Sequence, residues 1–196
     1  MSLRGARFSV LLMALVAGGC VSGAGEKAAV PTKLSVCHGY GCRDVAKIHV
    51  TDGISKKFSA IMAYGGKSPQ AERAAMSKAI QYYEELSVGA VGARDSAKSS
   101  FIASSEKGQM DCIDESTNTR HLLLYLHSRG LLKHHSVEAN VSRGLLLDGR
   151  YPHWTAVIRD PSGKRWAVDS WYEPAGGAPD IVALDYWRTR GVMGER

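Results

Sequence analysis

From Asp111 to about Arg129 the sequence spells one helix whose middle, residues 122–126, is apolar on every side. A helix of that kind has to be enclosed, so the rest of the chain must wrap around it. Asp111 can cap its start, Asp114 and Glu115 suit its positive end, and Gly130 stops it. Two further helices are expected upstream. Thr51 or Asp52 caps one that runs to about Tyr64, and Ser68-Pro69 opens a second that ends near Gly89. Residues 44–50 read as a short strand and residues 87–108 as a long loop. Downstream, the pattern turns to strands. Residues 137–141 and 144–147 suggest an interrupted strand. Residues 153–159 and 165–171 alternate around the turn Asp160-Pro161-Ser162-Gly163, and residues 181–187 read as a last short strand or an edge. Helices followed by strands predict an α+β domain with the central helix packed on an antiparallel sheet. With 196 residues the chain is one domain plus appendages.

The appendages are at the N-terminus. Arg4 and Arg7 precede an apolar run, residues 8–16, that closes on Ala17-Gly18-Gly19-Cys20. The run is too short to span a bilayer, and small residues behind it read as a secretory cleavage site. The segment resembles the lipobox of bacterial lipoproteins, which implies a signal peptide over residues 1–19 and a diacylated Cys20. Residues 20–36, rich in Gly, Ala, Ser and Lys, are then expected to tether the lipid to a domain over 37–196. Val21 follows the cysteine instead of aspartate, which by resemblance to enterobacterial sorting favours the outer membrane, with the domain facing the periplasm. The formal charge of +6 falls by two when Arg4 and Arg7 leave with the leader. The remaining basic residues are scattered, without the stripe and interleaved aromatics of a nucleic-acid surface, so no nucleic-acid partner is expected.

The four cysteines divide accordingly. Cys20 takes the lipid. Cys37 and Cys42 are five apart, with two glycines between them, and an oxidising periplasm favours a disulfide there. Their spacing with His38 matches no familiar zinc pattern, so no metal site is expected. Cys112 is left as a lone thiol at the start of the enclosed helix. It reads either as an inert buried cysteine or as a nucleophile activated by the helix N-terminus. Asp111, Asp114 and Glu115 oppose thiolate formation, so a nucleophile at this place needs a cationic partner, usually histidine. Of seven histidines, His153 opens a strand, and the hairpin is expected to bring Asp169 about level with it on the same face. Asp169 can then hold one ring nitrogen and leave the other for the thiol.

The stretches Gln109-Met110-Asp111-Cys112-Ile113-Asp114-Glu115-Ser116, His153-Trp154-Thr155-Ala156-Val157 and Trp166-Ala167-Val168-Asp169-Ser170-Trp171 resemble, in this order, the bacterial transglutaminase-like cysteine proteinases. The resemblance covers roughly residues 105–172. It implies a transglutaminase-like, papain-like fold and a thioester intermediate, with cleavage or transfer at an amide or peptide bond and no cofactor. Cys112 would be the nucleophile, His153 the general base and then acid, and Asp169 its orienter. Gln109 is the candidate oxyanion donor. Trp154 and Trp171 line a substrate cleft or pack in the core. The substrate implied is an envelope protein or peptide. A non-catalytic envelope binding or scaffold module on the same fold is the alternative.

Overall fold

The computed structural model describes residues 31–99, 101–145 and 152–190. The segment expected to be a leader, Cys20, and residues 146–147 of the expected interrupted strand lie outside the described residues. Strands β1 (Lys33–His38) and β2 (Asp44–His49) form an antiparallel hairpin. Helices α1 (Asp52–Ala63), α2 (Pro69–Val91) and α3 (Cys112–Ser128) follow. The short strands β3 (Ser136–Val137) and β4 (Val141–Arg143) both lie against β5 (His153–Arg159), which continues the antiparallel order through β6 (Arg165–Asp169) and β7 (Asp180–Ala183). Helix α4 (Leu184–Thr189) closes the described chain. The architecture is α+β, with antiparallel sheets and, among the described residues, four α-helices.

Local chemistry sets the helix ends. Thr51 and Ser68 accept backbone N–H bonds from Ile54 and Ala71, and Pro69 stands at the first helical position of α2. Helix α2 outruns Gly89 and stops at Gly92, whose φ of 75° is the left-handed cap that glycine takes without strain. Between β5 and β6 the pair Asp160–Lys164 encloses three turn residues, with Gly163 at φ 85°. Asp160 holds this turn as an acceptor for Ser162, Lys164 and the Trp166 indole N–H.

Three expectations are corrected. Residues 33–36 are not tether: Leu34 and Val36 are buried as the inward face of β1, a short alternation hidden behind the Gly-rich stretch. Helix α3 is not enclosed on every side, because Leu124 is 36% exposed while Leu122, Leu123 and Leu126 are buried. With 3.6 residues per turn, Leu124 stands about 200° around the helix from Leu122. Residues 184–187 are helix, not strand. His135 is buried, and its Nδ1 lies 2.7 Å from the Glu72 carboxylate.

The core lies between α3, α2 and the inner face of the large sheet, with Phe58, Met76, Ile80, Tyr83 and Ile158 among its buried members. A second, smaller cluster, Val157, Ala167, Leu184 and Trp187, sits on the sheet's other face under α4. That face-to-face arrangement brings Trp187 next to the end of β6.

Candidate active site

Cys112 is the first residue of α3, and three elements define its surroundings. Asp111 caps the helix, accepting the N–H groups of Ile113 at 3.0 Å and Asp114 at 2.9 Å, while the Asp114 side chain accepts the Asp111 N–H at 3.3 Å. This reciprocal capping box leaves the Cys112 N–H unspent. The sulfur lies 4.0 Å from the Pro152 carbonyl oxygen, at the mouth of β5. The amides of Trp154 and of Cys112 itself are directed at it. Burial, followed by the charges of Asp111 and Asp169, nevertheless pushes the thiol up to about 11, so the resting group is a neutral thiol.

His153 opens β5 and is 3% exposed. Its Nε2 lies 2.7 Å from Asp169 Oδ2 at the end of β6. The register pairs Ala156 with Val168, so the hairpin continues with Asp169 opposite Thr155, two residues from His153. The contact is therefore a diagonal on one face, not the level pair expected from a four-residue turn. Diagonal neighbours on a sheet face remain within reach of long side chains. His153 Nδ1 is buried and has no hydrogen-bond partner among the described residues. The carboxylate thus fixes the ring through one nitrogen and leaves the other without a partner among the described residues, the Cys112 thiol included.

Asp169 is itself held. Its Oδ2 also accepts the Trp187 indole N–H at 2.7 Å, and its Oδ1 accepts the Trp171 backbone N–H at 3.4 Å. The Arg143 guanidinium lies 4.4 Å from the Trp187 ring and donates to the Trp187 carbonyl and, at 2.8 Å, to the Tyr172 hydroxyl. The His153 ring is packed against Trp171 at 4.8 Å and Trp187 at 5.7 Å. Trp187 and Arg143 escaped the sequence reading. The only signal for Trp187 was its place in a segment read as strand, and Arg143 had none.

The other candidates separate. The Gln109 side chain is committed elsewhere: its carbonyl accepts the Ser96 N–H and the Ser99 hydroxyl, and its amide donates to the Arg94 carbonyl at 3.1 Å. It braces the loop after α2, and its side-chain hydrogen bonds are with Arg94, Ser96 and Ser99 and not with Cys112. Trp171 lies against the His153 ring. Trp154, adjacent to His153 on an extended strand, turns its side chain to the opposite face and is 38% exposed. Its contribution at the thiol is its backbone N–H. Cys37 and Cys42 are joined by a disulfide. Cys112 is the free cysteine among the described residues.

Behind the site, three carboxyl groups gather without a basic partner: Glu84 on α2, Asp95 in the following loop and Glu115 on α3. Glu115 accepts the Ser170 hydroxyl at 2.7 Å, next in sequence to Asp169, and Asp95 accepts the Met110 N–H at 2.7 Å, two residues before Cys112. Burial pushes Glu84 up to about 8 and Asp95 up to about 6, and raises Glu115 well above the ordinary carboxylate range.

The chain matches no protein-family model, no curated protein and no solved structure. Among the described residues no group of His, Cys, Asp and Glu is arranged to hold a metal ion, and no helix is long and apolar enough to cross a membrane.

Proposed function

We propose that this protein is an exported, lipid-anchored thiol hydrolase of transglutaminase-like type, acting on amide or peptide bonds of an envelope protein or peptide. The observation that carries the reading is the His153–Asp169 bond at 2.7 Å through Nε2, with Nδ1 unpartnered among the described residues and the Cys112 sulfur 4.0 Å from the carbonyl of Pro152, the residue before His153. Nε2 bound to a carboxylate carries the proton, so Nδ1 is the acceptor form of the neutral ring. It takes the thiol proton as the sulfur attacks a carbonyl carbon, and later returns that proton to the leaving amine. The amides of Cys112 and Trp154 supply dipoles where negative charge develops. Water, or an amine in a transamidation, then releases the acyl group from sulfur.

One observation favours a second reading, a binding module on the same fold: the resting thiol is buried and neutral, and its sulfur lies 4.0 Å from a backbone carbonyl. Reactivity separates the two. A thiol-reactive acyl probe at neutral pH is expected to label the protein much faster than it labels free cysteine, with labelling abolished in Cys112→Ala and strongly reduced in His153→Ala. Labelling no faster than free cysteine leaves the binding module.

The anchor is tested independently. Cys20→Ser is expected to block lipid incorporation and move the protein from the membrane to the soluble fraction. Unchanged partitioning would remove the lipoprotein reading and leave the triad untouched.

A further inference from the structure

The loop closed by Cys37 and Cys42 is bound to the nucleophile's end of α3 by the backbone N–H groups of Cys37, Gly39, Tyr40, Gly41 and Cys42. Gly39, Tyr40, Gly41 and Cys42 all have positive φ, between 59° and 81°, so one left-handed turn points their amides to the same side. Those amides meet the residues on either side of Cys112. Gly39 N–H donates to the Gln109 carbonyl at 2.9 Å and Gly41 N–H to Asp111 at 3.0 Å. Tyr40 and Cys42 N–H donate to the two oxygens of Asp114, at 2.8 Å and 2.5 Å. One turn further along α3, Asn118 bonds both the N–H and the carbonyl of Cys37, at 2.7 and 2.8 Å.

Two consequences follow. Asp111 and Asp114 each accept three N–H donors, two of the three for Asp114 coming from the loop. The carboxylates that oppose a thiolate at Cys112 are therefore solvated by amides. The conformation that does this is also expensive: left-handed backbone at Tyr40 and Cys42 costs on the order of 1 kcal/mol each, and the free chain has no reason to hold it. The covalent bridge removes that freedom.

We propose that the Cys37–Cys42 loop is a positioning element for Cys112, seated only when its disulfide is formed, so that oxidation of this pair completes the nucleophile's end of the helix. The two thiols each give up a proton and together two electrons to a protein disulfide oxidant, which leaves as a dithiol. In the reduced chain the loop opens. Asp114, fully buried, keeps only the Asp111 N–H, and a buried carboxylate short of donors draws water in and frays the first turn that carries Cys112. The catalytic consequence rests on the thiol-hydrolase reading. The positioning does not.

The test uses the full chain carrying Cys37→Ser and Cys42→Ser, compared with wild type by site-resolved amide hydrogen exchange and by labelling of Cys112. Exchange at residues 113–116 is expected to rise at least tenfold while residues 122–126 stay within about twofold. Acylation by the probe, which needs a seated thiol and His153, is expected to fall at least tenfold. Alkylation by iodoacetamide, which needs an exposed thiolate but no seated His153, is expected not to fall. If exchange at 113–116 is unchanged, or rises equally along the whole of α3, the proposal is overturned. If wild type shows no fast acylation, the hydrolase reading fails while the exchange result still decides the positioning. Should the double variant not fold, Asp114→Asn keeps the disulfide and removes the anchoring charge. The same local opening at 113–116, in smaller measure, is then expected, and its absence overturns the proposal.

Discussion

Asp169→Ala is expected to slow acylation of Cys112 by two to four orders of magnitude, the range over which a positioned general base ordinarily contributes. The substitution removes the acceptor that fixes the His153 ring through Nε2 at 2.7 Å, so the neutral ring no longer favours the tautomer with Nδ1 open to the thiol. It also strands the Trp187 indole N–H, which is buried and gives its hydrogen bond to the same carboxylate oxygen. An orphaned buried donor costs about 1–3 kcal/mol, so the melting temperature should fall as well. Asp169→Asn separates the two effects. The asparagine carbonyl can receive both His153 and Trp187, and the price is a donor–donor conflict with the Trp171 N–H, so it should keep much more activity than the alanine. Burst acylation kinetics with calorimetry on both variants check this. Equal rates in Asp169→Ala and wild type would show that His153 is not oriented by Asp169.

Raising the pH from 5 to 9 is expected to destabilise the fold by on the order of 4 kcal/mol. Glu84, Asp95 and Glu115 line a cavity of about 10 Å³, no larger than one water molecule. Among the described residues none of the three joins a salt bridge. Glu84 stays protonated in the folded chain up to about 8, whereas the unfolded chain releases that proton near the ordinary value of about 4.3. Between those values the folded state holds more protons than the unfolded one. Stability is therefore full below the unfolded value and is lost as pH rises through the folded one. Asp95, pushed up to about 6, adds to the same slope at lower pH. Urea denaturation at pH 5, 7 and 9 measures the loss, and Glu84→Gln should flatten the upper part of the slope. A stability that is constant across this range counts against the cluster. Because Asp95 holds Met110 and Glu115 holds Ser170, alkaline pH should loosen both flanks of the site together.

Much of the frame was legible because it rests on local chemistry. Thr51, Ser68-Pro69 and Asp111 announced three helix starts through side chains that bond amides within the same turn. The alternation on either side of residues 160–164 announced the hairpin that puts His153 and Asp169 on one face. Gln109 attracted notice by its closeness to Cys112 in sequence. Proximity to Cys112 in sequence says nothing about where a carboxamide points, and tertiary contacts turned it toward the loop at Arg94, Ser96 and Ser99. Asp111, Asp114 and Glu115 looked like one patch of negative charge. The fold gives the first two to amides and the third to a buried cluster of carboxyl groups.

What the sequence determined by itself about Cys112 is its place: a lone thiol at a helix start, ahead of a histidine and an aspartate on consecutive strands. Helix caps, turns and strand periodicity are interactions between near neighbours, and near neighbours are written side by side. Only the tertiary structure decided the state of that thiol. Its burial, the diagonal to Asp169, the Trp187 hydrogen bond and the amides of residues 39–42 come from segments up to about 80 residues apart, brought together by packing of the core. Electrostatics at a buried group depends on distance in space and on excluded water, and neither is recorded in the order of the residues.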